Sequence, residues 1–199
     1  MKISHLMFGA FAGVMLAAGA ALAQGAPPDA GAQQAAAPAQ PGRPDVKTVG
    51  DWFVRCFPVQ SPNPCDVYQE LDDPRTRQRV LSISLAAVPS INSHIIQITV
   101  PLEVSIPKGA VIQTDSYTSP ALPYRMCTRE GCFVQVRLEN DAIEAMSKSG
   151  PDAKVKIVAD NGKTYDLKFS LKGFAGAHDE MVNEAKAKAK AAPAAPAAP

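Results

Sequence analysis

The feature that most constrains this chain is an apolar alternation with a period of two. In "RVLSISLA", Leu81, Ile83 and Leu85 fall on one face while Ser82 and Ser84 fall on the other. "HIIQITV" groups Ile96, Ile98 and Val100 against Gln97 and Thr99, and "CFVQVRL" groups Val134, Val136 and Leu138 against Gln135 and Arg137. "AKVKIVA" sets Val155 and Ile157 against two lysines. "TYDLKFSLK" sets Tyr165, Leu167, Phe169 and Leu171 against Asp166, Lys168, Ser170 and Lys172. Successive strand side chains point to opposite faces, so these segments bury one face and wet the other, as antiparallel strands do.

The intervening sequence supports the same reading. Asn161-Gly162 is a hairpin signal between the last two strands. "DWFVRCF", "DVYQEL", "GAVIQTD" and "LPYRMC" are weaker strand candidates, and in the first the period of two puts Trp52, Val54 and Cys56 on one face. A short helix is expected at "NDAIEAMSKSG", with Asn140 as N-cap and Gly150 past its end. A second should begin near Gly176 and run through "AHDEMVNEAKAKAK", helped by Glu184 and Lys188 at i,i+4 spacing, with a fraying end because its apolar face runs out past Met181 and Val182. The expected fold is mainly β, an antiparallel β-sandwich-like single domain with one short internal helix and a C-terminal helix.

The ends differ in kind. Lys2, an apolar run from Leu6 to Ala18 and Ala21-Leu22-Ala23 read as a cleavable signal peptide over residues 1–23. Residues 24–45 are Ala, Pro, Gln and Gly with almost no large apolar side chain, an expected disordered linker. The domain is placed at 46–182, and 183–199 is a basic Ala/Pro-rich tail, also expected to be disordered. The expected location is periplasmic or secreted, with no transmembrane segment after cleavage. Formal net charge is +1, and losing Lys2 brings the chain near neutrality, which argues against a nucleic-acid role. Lys186, Lys188 and Lys190 leave room only for weak contact with an anionic surface through the tail.

An exported chain makes its four cysteines readable. Cys56, Cys65, Cys127 and Cys132 are expected to form two disulfides. Four cysteines allow three connectivities, and strand geometry favours the local pairs, with "TREG" as a hairpin loop inside "CTREGC". A catalytic dithiol needs C-x-x-C at a helix start, and zinc sites favour paired C-x2-C spacings; this sequence has neither. Nor does it contain H-E-x-x-H, G-x-S-x-G, or the Walker and Rossmann glycine patterns. His94 reads as an edge-of-core residue. Arg75, Arg77 and Arg79 in "RTRQR" alternate, which places them on one side of an extended segment. They guard a sheet edge or form an anion-binding strip, and they are the candidate binding surface.

Taken together, "GDWFVRC", a second cysteine nine residues on, "PLEVSIPKGAVIQTD", "YRMCTREGCFVQVRL" and "LKGFAGA" resemble the invasion-associated locus B family. The resemblance spans roughly residues 49–177, with Glu103 where the family often has glycine. It implies an exported β-sandwich-like protein of alphaproteobacteria and carries over no catalytic residue, only the paired cysteines. The expected function is therefore non-enzymatic: a binding or interaction module for an unknown protein, glycan or envelope partner, supporting host-cell interaction or envelope integrity, with no cofactor. The competing expectation is a small periplasmic hydrolase or redox protein whose site assembles only in space.

Overall fold

The computed structural model describes residues 42–59, 61, 64–88 and 91–191. The signal peptide, most of the linker and the last eight residues lie outside this range. Seven strands form one antiparallel sheet: β1 (Asp45–Val49), β2 (Trp52–Cys56), β3 (Cys65–Asp72), β4 (Arg79–Val88), β5 (Ser93–Val100), β7 (Tyr124–Thr128) and β8 (Gly131–Leu138). Their spatial order is β1-β2-β3-β4-β5-β8-β7. Strands β6 (Ala110–Gln113), β9 (Asp152–Val158) and β10 (Thr164–Ser170) form a second sheet, in the order β10-β9-β6. Helix α1 (Asn140–Lys148) precedes β9, and α2 (Phe174–Ala191) follows β10.

The alternation sets the layers. Val54, Val67, Leu85, Ile96 and Val136 are neighbours across five strands on the inner face. A single buried cluster unites that face with Val155 and Ile157 of β9, Ile143 and Met146 of α1, and Phe174, Ala177 and Met181 of α2. The second layer is therefore part sheet and part helix. Trp52 is fully buried at its centre, with Phe169 edge-on at 6.4 Å and Phe174 tilted at 5.2 Å. Gln69 ties the layers together, donating to the Asp51 and Ser170 carbonyls and accepting from the Ser170 amide. A buried amide satisfied in this way avoids the desolvation cost of an orphan polar group.

Several local expectations are corrected. Asn140 is the first residue of α1 rather than its cap, because its side chain donates to the Asn92 carbonyl while Glu139 takes the cap position. Helix α2 begins at Phe174, before the expected Gly176, and is still packed past Val182: Ala185 is buried, and Lys47 on β1 pairs with Glu180 and Glu184. The "CTREGC" loop is tighter than four residues, since Thr128 already pairs with Gly131. Gly131 has φ 134°, and a Cβ there would lie 2.3 Å from the Val100 carbonyl oxygen. Only glycine fits so close an approach.

Candidate functional site

The inward residues of the larger sheet belong to the core; the outward ones point away from it and, among the described residues, do not join the buried apolar cluster. On the outer face Thr48, Phe53, Tyr68, Ser84, Gln97 and Gln135 stand in one row across six strands. A parallel row carries Glu70, Ser82, Thr99, Phe133 and Met126. The buried residues of α1, α2 and the smaller sheet all join the inner cluster. The outer face is thus a floor of hydroxyl and amide groups, on which Ser84, Gln97 and Gln135 keep some exposure while Ser82 and Thr99 are buried among their neighbours, flanked by Phe53 and Tyr68 on one side and Phe133 on the other.

A polar network braces the aromatic flank. Arg55 grips Asp66 with two hydrogen bonds, Nε to Oδ1 at 2.9 Å and Nη2 to Oδ2 at 2.5 Å, and Ser84 Oγ donates to Oδ2 at 2.6 Å. The guanidinium lies 3.5 Å from the centre of the Tyr68 ring, so it is both paired and stacked. The Tyr68 hydroxyl donates to Glu70. Burial first, then the Glu70 carboxylate, pushes that phenol up to about 12. Arg79 stands 3.7 Å from Glu70 and donates to the Glu130 carbonyl. Across β2, β3 and β4 the charges on this face are therefore compensated internally.

The arginines singled out in the sequence do not form a strip. Arg75 and Arg77 sit in the turn between β3 and β4, and only Arg79 lies in a strand. The Asp73 carboxylate accepts from the amides of Arg75 and Thr76, and Arg77 takes φ 57°, so the backbone curls instead of extending. Alternation implies one side only along an extended segment, and the turn removes that condition.

Both disulfides join residues directly opposite in antiparallel pairs, Cys56–Cys65 between β2 and β3 and Cys127–Cys132 between β7 and β8. The first pairing sets more than a covalent link. If Cys56 opposes Cys65, then Arg55 opposes Asp66 and Phe53 opposes Tyr68. The disulfide thus fixes the register of the outer network, a signal that motifs of residue type do not capture but that the cysteine spacing contains.

Elsewhere, a groove of about 470 Å³ runs beside α1, lined largely by Tyr117, Pro120, Leu122, Leu138 and Ala142. His94, on the inner face of β5, meets His178 of α2. Lys188 pairs with Asp45. No helix among the described residues is long and apolar enough to cross a membrane.

Comparison with known proteins gives this architecture a family. The model of the invasion-associated locus B (IalB) protein family matches residues 52–182, from the buried tryptophan into α2. Two invasion protein B homologs of Brucella abortus, from strain 2308 and from biovar 1 strain 9-941, are each 29% identical over 136 residues. Each alignment covers 68% of this chain and 78% of the relative. The crystal structure of invasion-associated protein B from Bartonella henselae superposes with a TM-score of 0.62 at 18% identity, covering 71% of this chain and 99% of that one. At that identity the likeness concerns the fold alone. The match across most of the β domain shows that the chain belongs to the invasion-associated locus B family.

Proposed function

We propose that this protein is an exported, non-catalytic interaction module that uses the open face of its larger sheet to hold a neutral glycan in the envelope or at a host surface. The observation that carries the reading is the outer row itself, with aromatic rings flanking a floor of Ser84, Gln97 and Gln135. A sugar ring has apolar C–H faces and hydroxyl edges, so rings beside hydrogen-bonding side chains suit both parts of it. The charges of Arg55, Asp66, Glu70 and Arg79 are paired within the face, so its aromatic flank does not select for a charged ligand, and on the opposite flank Arg125 donates to Gln135. The invasion named for the relatives enters only as the setting in which such binding would serve.

The test is binding of the disulfide-bonded protein to immobilised mannan, dextran, chitin oligosaccharides and cello-oligosaccharides. A Phe53→Ala/Gln97→Ala variant should lose at least tenfold in affinity for the retained glycan, with its melting temperature little changed. Absence of wild-type binding to every probe, or equal binding by the variant, overturns the reading.

A further inference from the structure

We propose that His94 and His178 form a two-histidine site for a divalent first-row cation of the zinc class, which fastens α2 to the inner face of the larger sheet. The two imidazoles come from elements that are distant in sequence, β5 and α2, and their Nε2 atoms stand 2.9 Å apart with ring centroids at 5.0 Å. Two imidazoles on one tetrahedral zinc, with Zn–N distances of ~2.0–2.1 Å, hold these atoms ~3.3 Å apart and the centroids ~5.2 Å apart. Opening the pair by a few tenths of an ångström therefore changes a direct nitrogen–nitrogen contact into a shared ligand position. That adjustment is a small tilt of two side chains.

The surroundings fit ligation in two respects. The Nδ1 of His178 faces the Asp179 carboxylate at 3.4 Å, the position of the outer carboxylate that orients a metal-bound histidine and raises its basicity. His94 is 8% exposed, while the side chain of His178 is 17% exposed, so the pair is anchored on one side and reachable on the other. Among the described residues no group of three or more His, Cys, Asp or Glu converges. The remaining coordination positions belong to water, and the site is open. The four cysteines are closed in disulfides and do not compete for the ion.

The pair has a second property that makes metal binding consequential. Helix α2 meets β1 through Lys47–Glu180 and Lys47–Glu184, and its buried stripe packs on β2 and β3. A cation at His94 and His178 adds a link between this helix and β5, in the middle of the sheet. A ligand that binds the folded state alone raises stability by mass action.

The experiment is isothermal titration of Zn²⁺ into the untagged, chelator-treated protein at pH 7.5, paired with thermal unfolding. Co²⁺ serves as a spectroscopic substitute. One Zn²⁺ should bind per chain and raise the melting temperature by roughly 5 °C at saturation. Co²⁺ should give the visible bands of a low-symmetry site. His178→Gln, at the accessible position, keeps a hydrogen-bonding side chain toward His94 and should weaken binding at least tenfold while its metal-free melting temperature stays near that of wild type. His94→Gln should weaken binding equally; if that variant does not fold, His178→Gln decides alone. Undiminished Zn²⁺ binding by His178→Gln, or no heat and no thermal shift at millimolar Zn²⁺, overturns the site.

Discussion

On the inner face of the larger sheet, Val54, Val67, Leu85 and Ile96 stand in a row; one residue along each strand, Phe53, Tyr68, Ser84 and Gln97 stand in a row on the outer face. The backbone is shared, and only the parity differs. The inner row is buried by a second layer of strands and helices, so its side chains are selected for volume and apolarity. Among the described residues no second layer covers the outer row, and its side chains pair with one another, stack, or keep partial exposure.

That difference makes the inner face the place where a single change does the most damage. Trp52 contacts both β10 and α2 through Phe169 and Phe174, so truncation opens a cavity where the layers meet. Trp52→Ala should cost about 3–5 kcal/mol in urea unfolding, a large part of a small domain's stability. A loss under about 1 kcal/mol would mean that the ring is not what joins the layers.

The disulfides sharpen the comparison at the next level. Cys56 and Cys65 are both buried against the core, whereas Cys127 is exposed at the outermost strand and only its partner Cys132 is buried. In the chain-entropy model loops this short contribute roughly 2–3 kcal/mol each. Replacing Cys56 and Cys65 together by alanine should cost that amount and loosen the register that aligns Arg55 with Asp66. Replacing Cys127 and Cys132 should cost less, because they close the shorter loop at a sheet edge. Reduction follows access, so mild thiol should open Cys127–Cys132 first in a time course followed by thiol labelling. The opposite order would show that the β2–β3 corner opens more readily than its burial implies.

How much of this is legible in the sequence depends on which side of the sheet a residue faces. Leu81, Ile83, Leu85, Ile96 and Ile98 announce the inner face because burial imposes a strict alternation, and each is buried. Strand β1 is not legible as a strand. Its inward positions are Asp45, Lys47 and Val49, and the first two meet the charged side chains of α2 rather than the core. The same contacts explain why α2 persists past Val182, for a helix judged only by its own apolar face looks unsupported there. Glu103 holds φ 65°, the left-handed conformation that glycine adopts at no steric cost. Its departure from the resembled family is thus a departure in backbone comfort. The outer network is hidden because alternation reports only that its members are polar, while their pairing depends on register. Once the local disulfide is granted, register follows, and with it the Arg55–Asp66 contact. The His94–His178 meeting stays out of reach, since it depends on how α2 lies across β5.

The smallest expected effect belongs to that outer network, and it tests whether the face is free for a partner or already spent on stability. The Asp66 carboxylate accepts three hydrogen bonds, two from Arg55 and one from Ser84. Asp66→Asn keeps the shape but replaces one acceptor oxygen by a donor, which confronts a guanidinium or hydroxyl proton. The charge-assisted part of the pair goes as well. Arg55 retains 24% of its side-chain exposure and Asp66 11%, so water softens the change, and the full penalty of a buried broken pair does not apply. The expected cost is about 1–2 kcal/mol, below that of Trp52→Ala. Since the pair also positions the guanidinium over Tyr68, the variant should alter the near-ultraviolet circular dichroism of that ring while leaving tryptophan fluorescence unchanged. A loss as large as that from Trp52→Ala, or a shift in the tryptophan emission, would show that the outer network supports the core. The open face would then be a structural surface rather than one held ready for a ligand.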